Sequence, residues 1–222
     1  MANERATERP TLERQFELLL SKRVRPFLRA DGFTKANKSF RRSRGSLYDM
    51  IGFQANWHNG VTPSHGYFVN VGIGSAEVDA VWPGPRPQPP NGFLFDRRWE
   101  SVVPELPYEI RFNHTTDMSE FADALCEGLG RVVAVLDEFD CTSTLVRHAV
   151  DHNLLIQYER TCCYLAAIGD VDTLTEYVGL LHDRFGHQDR WAIFNREISR
   201  ATGALTSTLV GLGLLDPVEA PR

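Results

Sequence analysis

Side-chain amides at Gln54, Asn56 and Asn70 stand in two stretches that alternate polar with apolar residues. An amide offers both donors and an acceptor, so a group of them suits recognition of a polar ligand or of another protein's backbone. By the period of two, all three lie opposite the apolar set Ile51, Phe53, Val69 and Val71, in the company of Met50 and Phe68. Gly72 and Gly74 leave room beside them for close approach. Two readings stay open at this point. The face takes a ligand or partner, or the helices after Asp117 cover it and the amides satisfy backbone groups there.

A second candidate is basic. Arg41, Arg42 and Arg44, with Lys35 and Lys38, cluster beside the same stretch, which is chemistry for an anionic or phosphorylated ligand. Nucleic acid would also need aromatic side chains for stacking, and Tyr48 and Phe68 are the ones nearby. Twelve Lys or Arg against five Asp or Glu give residues 1–44 a charge of +7, which leaves −12 on the rest of a chain whose net charge is −5. Nucleic acid is therefore disfavoured, and a solvated basic face balanced by an acidic remainder explains the asymmetry equally well.

Other reactive residue types carry less. His148 and His152 are four apart on an expected helix, so their rings project together, with Glu159 two turns further on. The intervening Ala149-Val150-Asp151 lacks the glutamate of a zinc protease, and three protein ligands are normally needed, so they read as surface histidines. The four cysteines, Cys126, Cys141, Cys162 and Cys163, include no C-x-x-C pair and read as reduced thiols. Asp137, Glu138 and Asp140 belong to a helix end. The chain contains no Gly-rich phosphate loop and no G-x-S-x-G elbow. No cofactor is expected, and binding is favoured over catalysis.

The elements that must position these groups follow from periodicity. Thr11 caps a helix carrying Phe16, Leu19, Leu20, Val24, Phe27 and Leu28; Pro26 should kink it and Asp31-Gly32 should end it. Strands are expected at Phe40–Arg44, Tyr48–Trp57 and Tyr67–Ile73, with a turn at Gly45-Ser46 and a break over 58–65. In the second strand Ile51, Phe53, Ala55 and Trp57 point to the core. Prolines 83, 85, 87, 89 and 90 make residues 76–104 a Pro-rich loop, anchored by Phe93, Phe95 and Trp99. Residues 108–113 have the composition of a fourth strand. From Asp117 the period is helical, giving helices over 117–139, 142–168, 170–185 and 188–212.

No apolar run approaches the roughly 18 residues of a membrane span, and the start is polar, so a cytoplasmic location follows by elimination.

The runs Phe27-Leu28-Arg29-Ala30-Asp31-Gly32-Phe33, Phe40-Arg41-Arg42, Gly52-Phe53-Gln54 and Tyr67-Phe68-Val69-Asn70-Val71-Gly72-Ile73 occur in an order that resembles the bacterial family known as domain of unknown function 4304. The resemblance covers about residues 16–73 and extends more loosely toward 139. It implies a fold and a bacterial origin but no reaction. Some members sit near toxin systems, which implies an immunity-like role of binding a protein.

The expected fold is α+β: an N-terminal helix on an antiparallel meander of three or four strands, followed by a helical C-terminal half. Residues 11–115 and 117–215 form the two parts of one compact unit. The expected function is non-catalytic binding of a cognate protein through Arg41, Arg42, Gln54, Asn56, Phe68 and Asn70. The alternative is an enzyme or sensor of a small anionic ligand, using Arg41, Arg42 and the amides.

Overall fold

A computed structural model describes residues 11–84, 92–152 and 155–217. The fold is α+β, with an N-terminal helix, an antiparallel sheet and a helical C-terminal half. Helix α1 (Leu12–Leu19) starts where Thr11 Oγ1 accepts the Arg14 N–H at 3.3 Å. Pro26 does not break the helix. The chain widens into a π turn (Leu20–Val24), the Arg25 N–H bonds the Leu20 carbonyl, and α2 (Arg25–Ala30) continues with proline in its first turn. A π turn absorbs the carbonyl that proline leaves without a donor. Gly32, at φ 85°, then takes the left-handed position that ends α2.

The sheet has six strands rather than three or four. They are β1 (Thr34–Ala36), β2 (Ser39–Arg44), β3 (Leu47–Ala55), β4 (Ser64–Ser75), β5 (Phe95–Arg98) and β6 (Ile110–Asn113). Their order is β1-β2-β3-β4-β5, and β6 also pairs with β4, through Tyr67 opposite Ile110 and His65 opposite Phe112. The expected irregular stretch 76–104 contains α3 (Ala76–Val81), β5 and α4 (Trp99–Val102), while its proline-dense middle lies outside the described residues. Ser75 starts α3 by accepting the N–H groups of Glu77 and Val78. Phe93, Phe95 and Trp99 are buried, as their size and proximity required.

Beyond α5 (Met118–Asp137), capped by Asp117, come α6 (Thr142–Asp151), α7 (Tyr158–Ile168), α8 (Val171–Phe185), α9 (Trp191–Thr202) and α10 (Thr206–Gly211). The single helix expected over 142–168 is thus two. His152 caps α6 outside helical geometry, and Gln157 is left-handed at φ 55° just before α7. Gly203, at φ 53°, interrupts the helix expected over 188–212.

The chain divides into two compact units that interleave in sequence. The first takes in Met1–Ser43, Asp49–Val71 and Arg97–Glu138, and the second Arg44–Tyr48, Gly72–Asp96 and Phe139–Arg222.

In the first unit, α1 and the π turn cover one face of the sheet. Phe16 stacks on Tyr67 with centroids 3.8 Å apart and meets Phe53 edge-on at 5.6 Å. Phe112 in turn contacts Phe121 of α5 at 5.4 Å.

In the second unit, α3 lies against α7. The fully buried Arg160 holds Asp79, and Tyr164 donates to Glu77 at 3.3 Å. The Tyr48 hydroxyl sits 3.0 Å from Asp79 Oδ2 and 3.1 Å from the Gly92 carbonyl. Burial, with Asp79 adjacent, pushes this phenol up to about 12.

Candidate functional site

The expected basic cluster is dispersed. Arg41 and Arg42 are neighbours on β2 and point to opposite faces, Arg41 exposed and Arg42 inward. Arg42 Nε bonds Asp49 Oδ2 at 2.6 Å, a second nitrogen reaches Asp137, and the guanidinium lies 4.7 Å from the centre of the Phe33 ring. Burial alone would lower its pKa, but the two carboxylates hold it above its ordinary value. With Asp49 1% exposed, this is a buried ion pair of the core. In the second unit Arg44 is turned onto the Phe139 carbonyl. Lys38 is taken by Glu13 at 2.7 Å, which lowers that carboxyl's pKa. Lys35, Lys38 and Arg14 do line a groove of about 750 Å³, yet Arg14 there is paired with Glu17.

His148 and His152 lie together at the end of α6, as their spacing predicts. Their rings stack at 4.1 Å, His152 Nδ1 meets the His148 carbonyl at 2.9 Å, and His148 also packs on Phe95 and Phe139. Among the described residues no three His, Cys, Asp or Glu side chains are grouped to hold a metal. Of the cysteines, Cys162 and Cys163 are buried, and their thiols are pushed up by that burial.

The amide face is more informative. Its Met50 and Gly52 end is buried, and the room at Gly72 and Gly74 is filled by the Phe93 and Tyr48 rings, 2.6 and 2.2 Å from where a Cβ would stand. The other end is open. Gln54 is exposed, and its Oε1 accepts from Asn70 Nδ2 at 3.4 Å and from Arg98 Nη2 at 3.2 Å. The Arg98 guanidinium lies 4.6 Å from the centre of the half-buried Phe68 ring, whose edge meets Tyr108 at 5.2 Å. Cation–π contact and amide acceptor together hold this half-buried arginine in place.

Asn56 does not join Gln54. It closes the end of β3: Nδ2 donates to Glu109 Oε1 at 2.6 Å, and Oδ1 accepts the His58 N–H at 2.9 Å. The Glu109 carboxylate is 8% exposed, lies over Gly66, and is held on its other side by Arg111 Nε at 2.5 Å. Asn59 brackets Gly66 with two hydrogen bonds of 2.8 Å. Trp57 and Tyr108 each stand one residue from a member of this polar knot, and Tyr108 also meets Phe68 of the open face.

Those two aromatics are the residues that sequence reasoning missed. Trp57, expected in the core, is 83% exposed and packs only on His58 among the ring contacts described; Tyr108 is 65% exposed. The strand ends at Ala55, and the signal was present in Asn56, Asn59 and Gly60, which are turn residues. Nothing local pointed to Arg98, because strand pairing brings it to Gln54 from 44 positions away.

A family model for a domain of unknown function (DUF4304) matches residues 24–137, just over half of the chain. The chain belongs to this family. The open face, from Gln54 through Phe68 and Arg98 to Tyr108, lies inside the DUF4304 span. No curated protein and no solved structure matches the chain. No helix among the described residues is long and apolar enough to cross a membrane.

Proposed function

We propose that this DUF4304 protein is a non-catalytic binding protein whose open sheet face takes one cognate protein partner. The observation that carries the reading is the exposure of Trp57 and Tyr108 at 83% and 65%, with Tyr108 against the Phe68 ring on which an arginine is pinned. Trp, Tyr and Arg are the residues that dominate protein–protein binding energy. Gln54 and Asn70 supply hydrogen-bonding groups around them. An immunity-like role, in which this protein holds a toxin inactive, is one form of this pairing and accords with a bacterial origin. Four free thiols, two of them buried, fit a reducing compartment such as the cytoplasm.

The reading as an enzyme or sensor of a small anionic ligand is weaker, because Arg42 is committed to Asp49 and Asp137. A thermal-shift screen of phosphorylated compounds that returned a hit abolished by Arg41→Ala would revive it.

The direct test is co-purification from the source organism with the wild-type chain and with the Trp57→Ala/Tyr108→Ala double variant. One protein should come down repeatedly with the first and be lost with the second. Repeated absence of any partner, or equal recovery with both, sinks the proposal.

A further inference from the structure

Along β6, next to the open face, the first unit contains a cavity of about 380 Å³ whose apolar walls are Trp99, Leu106, Ile110, Phe121, Ala124 and Leu125. That is the size range of ligand-binding cavities, large enough for a bulky side chain. Its walls are fixed. Trp99 is 2% exposed and its Nε1 donates to the Pro107 carbonyl at 2.7 Å. A Cβ on Gly128 would come within 3.0 Å of Leu106 and 3.2 Å of Trp99, so α5 approaches this wall closely through a glycine.

The charges around it do not cancel. Arg111 is paired with Glu109, Asp123 with Arg23, and Glu105 with Arg131. Glu120 and Glu127 remain, both exposed and without an ion pair among the described residues. They lie four residues before and three after Ala124, on the same stripe of α5 as that wall residue. Pro107 and Glu109, the two chain neighbours of Tyr108, also line the cavity.

We infer that this cavity anchors the protein partner by a large apolar side chain flanked by a lysine or arginine that meets Glu120 and Glu127. The inference rests on the protein-binding reading and gives the partner a chemistry: a basic-apolar segment. An apolar anchor in a preformed pocket ringed by complementary charge is how protein interfaces concentrate affinity.

The probe is a library of random 12-residue peptides displayed on phage and selected on the full chain. Selection should enrich a large apolar residue adjacent to Lys or Arg. Binding of the selected peptides should fall at least tenfold with Ala124→Trp, which fills the cavity, and with Glu120→Lys/Glu127→Lys, which reverses the rim. Thermal melting confirms that both variants are folded. No enrichment, enrichment without the basic neighbour, or peptides indifferent to both variants overturns the inference. Peptides lost only with Trp57→Ala/Tyr108→Ala would remove the cavity and leave the open-face reading standing. Peptides indifferent to all of these changes would count against both.

Discussion

The two faces of the sheet in the first unit use the same strands and treat their polar groups in opposite ways. On the inner face Arg42 and Asp49 are withdrawn from water and satisfied by each other, by Asp137 and by the Phe33 ring. On the outer face Arg98 also sits on a phenylalanine and also finds an oxygen acceptor, but the acceptor is an exposed amide and Tyr108, against the same phenylalanine, stays wet. An arginine on an aromatic ring is therefore no indicator of role by itself. What separates the core pair from the surface patch is the carboxylate: a buried charge needs a countercharge, whereas a surface guanidinium can remain available to a partner.

The largest effect should come from breaking the inner pair. Arg42→Ala removes the guanidinium bonded to the buried Asp49 carboxylate and should cost about 3–5 kcal/mol in chemical denaturation, against about 0.5 kcal/mol or less for Arg41→Ala. Equal effects of the two would mean that the faces do not differ in this way. On the outer face, Trp57→Ala/Tyr108→Ala should leave the denaturation midpoint nearly unchanged while weakening the partner complex by about 2 kcal/mol or more. A loss of stability without loss of binding would assign those aromatics to the fold.

Gly66→Ala tests the knot that sets the boundary of the open face. Its Cβ would meet Glu109 Oε1 at 1.8 Å, so the carboxylate must leave Asn56. A destabilisation of about 1–3 kcal/mol is expected from the buried groups left unpaired, and Asn56→Ala on that background should add little.

The inner face also predicts a response to alkaline pH. Burial, then the charges of Glu13 and Glu17, push the Tyr67 phenol up to about 12. The folded state favours the neutral phenol, so this contribution is full below about 10 and is lost as pH rises from there to about 12. Tyr67→Phe should flatten the stability curve in that window, and a curve of unchanged slope would contradict the assignment. The smallest effect belongs to Asn70→Ala, whose 3.4 Å bond to Gln54 is exposed. It should shift stability by less than about 0.5 kcal/mol.

Much of the fold was legible in the chain. The stripe of Phe16, Leu20, Val24 and Leu28 and the caps at Thr11, Asp117 and Asp170 mark helices by local chemistry alone. Alternation placed Phe53 and Val71 inside and Gln54 outside. The Arg42–Asp49 pair had a readable signal too. Both residues stand equally far from the Gly45-Ser46 turn, so a two-residue hairpin sets them opposite each other, and Asp49 is the odd charge among core positions. Strands β1 and β5 were harder, since three or four residues are too few to show a period.

The sequence by itself determined which residues face together along each strand and helix, because those periods come from backbone geometry and need no partner. It also determined the family, through short runs in a fixed order. Tertiary structure decided the rest: that Arg42 pairs with Asp49 in the core and Arg98 reaches Gln54, that Trp57 is exposed while Phe93 and Tyr48 fill the space over Gly72 and Gly74, and that a cavity opens along β6. Each of these depends on which distant strand arrives alongside, and pairing across 44 or more residues is set by the energy of the whole sheet, not by any local pattern.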